Sequence, residues 1–355
     1  MSVHSALSCG LVTTVRTITA AAGVFAPGHI GALTPIVPFE LVDAVLLEAG
    51  GGQRRLRELP SRVGVYFLLA MCLFPEIGYG LVWGRLVGGL SGPAVARPST
   101  KALRDLRRRI GAAPVKALFD VLSGPLAPPS VRGVSFCGYR TVSFDGCTSQ
   151  KTPDTGRNRA WLGKRRGDGY PMLELMTLVE TGTRALLGAV FGPSAVGGTD
   201  YAAKLLHLLD KTMLVLWDRG FDGNAFLRAV DATGAKVLGR LRSSRRPPVL
   251  GPLPDGSYLS CLGGFPVRII EASITVTCQD GAVYTGVYRL ATTLGDHRRY
   301  PAGALIALYH ERWGAPRGAV GTEGGREPPS DRNTGRGVRP RLRPVAAGRL
   351  KLRTA

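Results

Sequence analysis

Apolar positions in the first third of the chain recur with helical spacing. Phe39, Val42 and Leu46 fall at i, i+3 and i+7, and Gly50-Gly51-Gly52 closes that run. The stretch Val63–Phe74 is apolar almost throughout and stops at Pro75-Glu76. A bilayer crossing needs roughly 20 such residues, so this one reads as a buried helix. The pattern predicts further helices over Tyr79–Leu90, Lys101–Arg109 and Pro114–Leu122, and SGPLAPPS at 123–130 reads as a linker. Residues 1–34 carry little pattern and read as a loose lead-in, followed by an all-helical domain over 35–125.

Beyond the linker the period changes to two. Val142 and Phe144 alternate with Ser143 and Asp145, which predicts a strand. Met172–Glu180 and Arg184–Phe191 read as strands. The wholly apolar Met213–Trp217 reads as a strand covered on both faces. Helices are expected from Thr199 to Asp210, over Asn224–Gly234 and over Gly303–Trp313, with a strand at Lys236–Leu241. Residues 245–293 alternate β-rich runs with turns such as Asp255-Gly256 and Asp280-Gly281. The expectation is an α/β sheet domain over 131–313 with a β-rich insert. From Gly314 the text becomes rich in Arg, Gly and Pro and lacks aromatics, so 314–355 are expected to form a disordered basic tail.

Charge adds a hint about partners. The 355 residues carry 46 Lys and Arg against 25 Asp and Glu, a net charge of +21. Such a chain attracts polyanions, nucleic acid above all, although Arg-rich composition also follows from GC-rich coding DNA. Arg104, Arg107 and Arg108 share one helix face, which suits a phosphate backbone. Lys164-Arg165-Arg166 form a short basic stretch, either solvated or lying along DNA. No two of the six cysteines form a C-x-x-C pair, and their scatter predicts small core residues in a reducing compartment. No Lys or Arg precedes Arg16 and no clean cleavage site follows, so no secretory signal and a cytoplasmic protein are expected. Trp161, Trp217 and His207 read as packing residues.

Two aspartates, Asp145 in FDG and Asp218 in WDRGF, stand at the ends of predicted strands. Carboxylates held at a sheet rim can share divalent cations. Mg²⁺ suits a site with few carboxylates plus substrate phosphate, and a metal pair about 4 Å apart serves phosphoryl transfer. Either residue alone is equally at home in a turn, and Asp218-Arg219 in a local ion pair.

The order of several blocks over some 280 residues resembles the DDE-type transposases of the insertion-element-four family. LTPIVPFELVDAVL and RRLRELPSRVGVYFLLAMCLFPEIGYGLVW resemble its N-terminal domain, and GAAPVKALFDVL the segment leading into its catalytic domain. FDGCTSQKTPDTGRNRAWLG resembles its first-Asp block, LVLWDRGFDG its second, and LYHERW the start of its third. The resemblance implies an RNase H-like catalytic domain. It implies Mg²⁺ (or Mn²⁺) held by Asp145 and Asp218, and DNA contacts by Tyr309 and Arg312. It also implies cutting at insertion-element ends and strand transfer into target DNA, a homodimer pairing two ends, and a place in the bacterial cytosol or nucleoid. Arg104, Arg107 and Arg108 then become candidates for end recognition.

The third block departs from the family. The position of the third carboxylate, four residues after Arg312, is Pro316, which has no side-chain oxygen. Glu311 lies about 140° around the helix from it, and Glu323 about 10 Å further along the axis. The triad therefore reads as incomplete and the chain as catalytically impaired, with a non-catalytic DNA-binding remnant as the alternative. A frameshift near Trp313 is the expected origin of the abrupt change in composition.

Overall fold

The computed structural model describes residues 30–50, 58–88, 90, 97–163, 169–277, 283–311 and 351–353. It divides into two compact units, one ending at Ser123 and the other beginning at Gly124.

The first unit is helical: Ile30–Leu33, Phe39–Glu48, Ser61–Leu73, Tyr79–Val87, Thr100–Ile110 and Ala113–Leu122. Its apolar stripes meet in one core built on Val42, Tyr66, Phe67, Leu86, Leu103 and Leu106. The buried Tyr66 hydroxyl donates to the Val37 carbonyl, and burial pushes its pKa up to about 12. Ser99 caps Thr100–Ile110, its Oγ accepting the Ala102 N–H at 3.2 Å. Among the described residues no helix is long and apolar enough to cross a membrane.

In the second unit, strands β1 (Ser135–Phe136), β2 (Tyr139–Lys151), β3 (Met172–Glu180), β4 (Leu186–Pro193), β5 (Met213–Trp217) and β6 (Lys236–Arg240) come first. They are followed by β7 (Gly251–Pro252), β8 (Tyr258–Leu262), β9 (Phe265–Thr277), β10 (Val283–Thr292) and β11 (Lys351–Arg353). The sheet order is β4-β3-β2-β5-β6-β10-β9-β8-β7, with β1 on β2 and β11 on β9. β2, β5 and β6 run parallel, while β3 and β4 are antiparallel additions on the other side of β2. This helical region followed by a mixed sheet has the α/β, RNase H-like class with a preceding helical domain.

The β-rich segment extends the same sheet. β10 pairs with β6 through Leu290↔Arg240 and Thr292↔Leu238, so the insert is continuous with the central strands. Within the tail, Lys351–Arg353 form a strand antiparallel to β9; residues 312–350, including Arg312 and Pro316, lie outside the described residues.

Both faces of the central strands are covered, which explains the unbroken apolar text of β5, buried at every position. On one face Val142, Phe144, Val215 and Trp217 pack with Tyr201, Phe226 and Leu227, the latter two from the helix Asn224–Asp231. On the other, Leu214, Leu216 and Leu238 pack with Leu305, Ile306 and Tyr309 of the helix Ala302–Glu311. Trp217 lies so close over Gly239 that a Cβ there would stand 1.7 Å from its Nε1.

The start of that last helix is tied to the insert. Arg268, buried on β9, donates to the carbonyl of Tyr300 at 2.7 Å and to Ser257 Oγ, and pairs with Asp255. Asp255 in turn accepts the Ala302 N–H at 3.0 Å. Burial pushes the Asp255 carboxyl up, but hydrogen bonds from Ser257 and Ala302, with Arg268 beside it, outweigh this and hold it below the usual carboxylate value.

Candidate metal and DNA site

Asp145 and Asp218 owe their places to strand register. β2 and β5 pair in parallel through Val142↔Val215 and Ser143↔Leu216. Continuing that register two residues sets Asp145 opposite Asp218, and side chains at matched positions leave a sheet on the same face. The face is the one that carries Ser143 and Leu216, against which Ala302–Glu311 packs. Phe144 and Trp217, one residue earlier, anchor the opposite face at 1% exposure each. Each aspartate is thus the first polar residue beyond a buried anchor. Asp145 is exposed and Asp218 half-buried.

Local bonds fix both backbones. The Asp145 carbonyl accepts from Thr177 Oγ1 at 3.0 Å across the β2–β3 pair. Asp218 Oδ1 accepts the Arg219 N–H at 2.6 Å and opens a short 3-10 turn, Arg219–Phe221. The turn ends at Asp222, which is buried, pairs with Arg245 and accepts the Arg242 N–H at 2.7 Å. Asp222 and Arg245 therefore brace the loop that presents Asp218. Sequence reasoning missed them; WDRGFDG contains Asp222, but nothing in the pattern points to Arg245.

Two carboxylates are hard oxygen donors, the chemistry that suits Mg²⁺ or Mn²⁺ when water and substrate phosphate complete the shell. Among the described residues, no three His, Cys, Asp or Glu side chains are grouped so as to hold a metal. Glu311 instead approaches Arg132 at 3.5 Å. The helix carrying it nonetheless ends near the strand termini. His310 meets the Tyr288 ring edge-on at 5.5 Å, and the Arg240 guanidinium lies 4.1 Å from the same ring, at the carboxyl end of β6. Burial, with Arg240 nearby, holds the His310 imidazole below its ordinary pKa.

The other expected DNA contacts fare differently. Arg104, Arg107 and Arg108 are exposed on the helix Thr100–Ile110, whose opposite face buries Leu103, Leu106 and Ile110. Arg107 lies 5.8 Å over the Tyr79 ring and Arg108 is 3.6 Å from Asp105. Tyr309 is 2% exposed and packs under its helix, so in this structure it serves the core and presents no surface to DNA. Arg312 lies outside the described residues.

Three packing expectations are corrected. Trp217 is buried, but Trp161 is 54% exposed on the helix Gly156–Leu162. His207 is exposed, with Nδ1 2.9 Å from the Lys204 carbonyl oxygen. Cys72 and Cys137 are exposed and Cys261 half-buried, none of them a core residue.

Comparison with known proteins bears on this arrangement. Residues 27–120 match the family model for the insertion element 4 transposase N-terminal region, and residues 137–315 match that for the transposase DDE domain. The transposase InsG for insertion sequence element IS4 of Escherichia coli K12 is 26% identical over 291 residues, covering 77% of this chain and 64% of InsG. InsZ of the same organism is 27% identical over 138 residues, 38% of this chain and 46% of InsZ. The chain thus spans less than two thirds of the curated relatives it matches. A solved piggyBac transposase synaptic complex with hairpin DNA aligns over 78% of this chain and 65% of its own, with 11% identity and a TM-score of 0.41.

Proposed function

The chain belongs to the insertion-element-four family of DDE transposases, and from that premise we propose that it engages insertion-element ends through DNA, with phosphodiester chemistry reduced to a remnant. The observation that supports this reading is the parallel register Ser143↔Leu216, which, continued two residues, would bring Asp145 level with Asp218. Asp145 and Asp218 would hold Mg²⁺ or Mn²⁺. When bound, such cations lower the pKa of a water or 3′-hydroxyl and stabilise the leaving oxygen in polynucleotidyl transfer. The residues of the chain fix where the scissile phosphate sits. Thr177 and the Arg219 N–H hold the two aspartates in register, and Asp222 with Arg245 braces the loop. Arg104, Arg107 and Arg108 supply phosphate contacts from the helical unit, and Arg312 adds to them; two ends would be paired by a homodimer in the bacterial cytosol.

The third carboxylate is where the reading turns toward impairment. The family position falls on Pro316, which has no side-chain oxygen, and among the described residues Glu311 forms no three-membered group with the aspartates. This favours a second reading, a non-catalytic DNA-binding transposase remnant able to compete with an intact enzyme at element ends. A cleavage assay separates the two. The chain, Mg²⁺ or Mn²⁺ and a duplex bearing the terminal repeat of its own element are combined, and binding and nicking are scored together. The first reading expects end binding with weak cutting, and the second expects end binding with none. Robust cutting abolished by Asp218→Ala would reject impairment, and absence of end binding would reject the DNA role.

A further inference from the structure

Trp161 and Phe191 are large aromatics left facing solvent, at 54% and 59% exposure. Their rings nevertheless hold each other in an edge-to-face contact, centroids 6.4 Å apart and planes at 80°. A fixed, exposed aromatic pair is apolar surface that a partner would be expected to cover.

Strand register locates the pair. Asp145 is opposite Thr177, Thr177 opposite Ala189, and Leu175 opposite Phe191. Phe191 is two residues from Ala189 along β4, so it projects from the same face as Asp145. The opposite face of β4 is occupied: added Cβ atoms at Gly188 and Gly192 would meet Leu208 and Tyr201. Two strand spacings sideways and two residues along give about 12 Å between the Cα atoms of Asp145 and Phe191. At about 3.4 Å per stacked nucleotide, that is a reach of about three to four nucleotides.

The surroundings select the occupant. Lys151 lies 5.6 Å from the Tyr170 ring, which is itself 48% exposed, and Arg157 is exposed on the helix that carries Trp161. Lys164-Arg165-Arg166, next in the sequence, lie outside the described residues. Arg157 precedes Trp161 by four residues and so shares its helix face, and positive charge beside an apolar ring complements a phosphate backbone with its bases. Bases inside a duplex already stack on one another, so only an unpaired base can lie on protein aromatics.

We propose that Trp161 and Phe191 form a stacking platform for an unpaired DNA base beside the strand held at Asp145 and Asp218. The platform rests on the DNA reading above and adds a preference for single-stranded flanks. Both residues are binding residues and neither takes part in bond breaking.

The test uses the full chain and fluorescence anisotropy on two labelled duplexes, one blunt and one identical but for a short single-stranded overhang. Stacking predicts about 10-fold tighter binding to the overhang duplex. Trp161→Ala and Phe191→Ala each remove that preference while blunt-duplex affinity and the thermal midpoint stay unchanged, and Trp161→Phe retains most of it. An overhang preference that survives both alanine variants overturns the platform and leaves the DNA reading intact. Loss of self-association in place of loss of overhang preference shows a contact between copies of the chain and overturns it as well. Failure of the unaltered chain to bind either duplex defeats the DNA reading itself.

Discussion

Asp145 and Asp218 became candidates because each stands one residue beyond a buried aromatic at the end of an apolar run, and the parallel pairing of β2 with β5, which runs as far as Ser143↔Leu216, brings the ends of those two runs level. That much is legible from pattern: an apolar strand followed by an acidic residue is a local signal. What pattern hides is the partnership that steadies each side chain. Arg245 lies in a stretch without period, yet it pairs with Asp222 and donates toward Asn224, closing the loop after Asp218. Arg245→Ala strips a largely buried carboxylate of its partner and is expected to destabilise the fold by about 3 kcal/mol, measured by urea denaturation. Asp255 gives a pH signature. Its carboxyl is held below the ordinary value of 3.8, so its contribution is fully present above that pH and is lost on further acidification. Asp255→Asn should therefore flatten the fall of the thermal midpoint below about pH 4. An unchanged slope would place the acid sensitivity elsewhere.

Elements were read with uneven success, and the reasons are physical. Met172–Glu180 and Met213–Trp217 form where the sequence predicts, because burial on one or both faces writes an unmistakable apolar text. The helix expected from Thr199 to Asp210 is shorter: Gly198–Ala203 gives way to a 3-10 turn at Leu206–Leu208. The helix Gly156–Leu162 escaped notice because GRNRAWL has no apolar stripe, although Thr155 signals its start by accepting the Asn158 N–H at 3.2 Å. That omission also concealed the exposure of Trp161. Continuity of the insert with the central sheet is a matter of long-range register between β10 and β6, which local periodicity does not encode. Close packing between elements supplies a sharp test. Gly239→Ala forces a methyl into Trp217 and is expected to cost about 2 kcal/mol, read as a lowered urea midpoint with an unchanged denaturant slope. On the helix Thr100–Ile110, Arg107→Glu with Arg108→Glu should weaken DNA binding about 10-fold or more, and lower the slope of log affinity against log salt by about two. Both residues are exposed, so stability should not change; an unaltered slope would remove this face from the DNA interface.

At the scale of the whole molecule, the proposed DNA contacts fall to the helical unit and the acidic pair to the α/β unit. With a net charge of +21, the proposed DNA binding is expected to weaken steeply as ionic strength rises. Binding that is indifferent between 50 and 200 mM salt would be hard to reconcile with phosphate contacts. Everything distinctive about the site, however, depends on Asp145 and Asp218 acting together on one cation. The most direct measurement is anomalous diffraction from crystals of the chain soaked in Mn²⁺. The account predicts a peak between the Asp145 and Asp218 carboxylates that disappears in Asp218→Asn. A peak elsewhere in the α/β unit with none at this pair would contradict it.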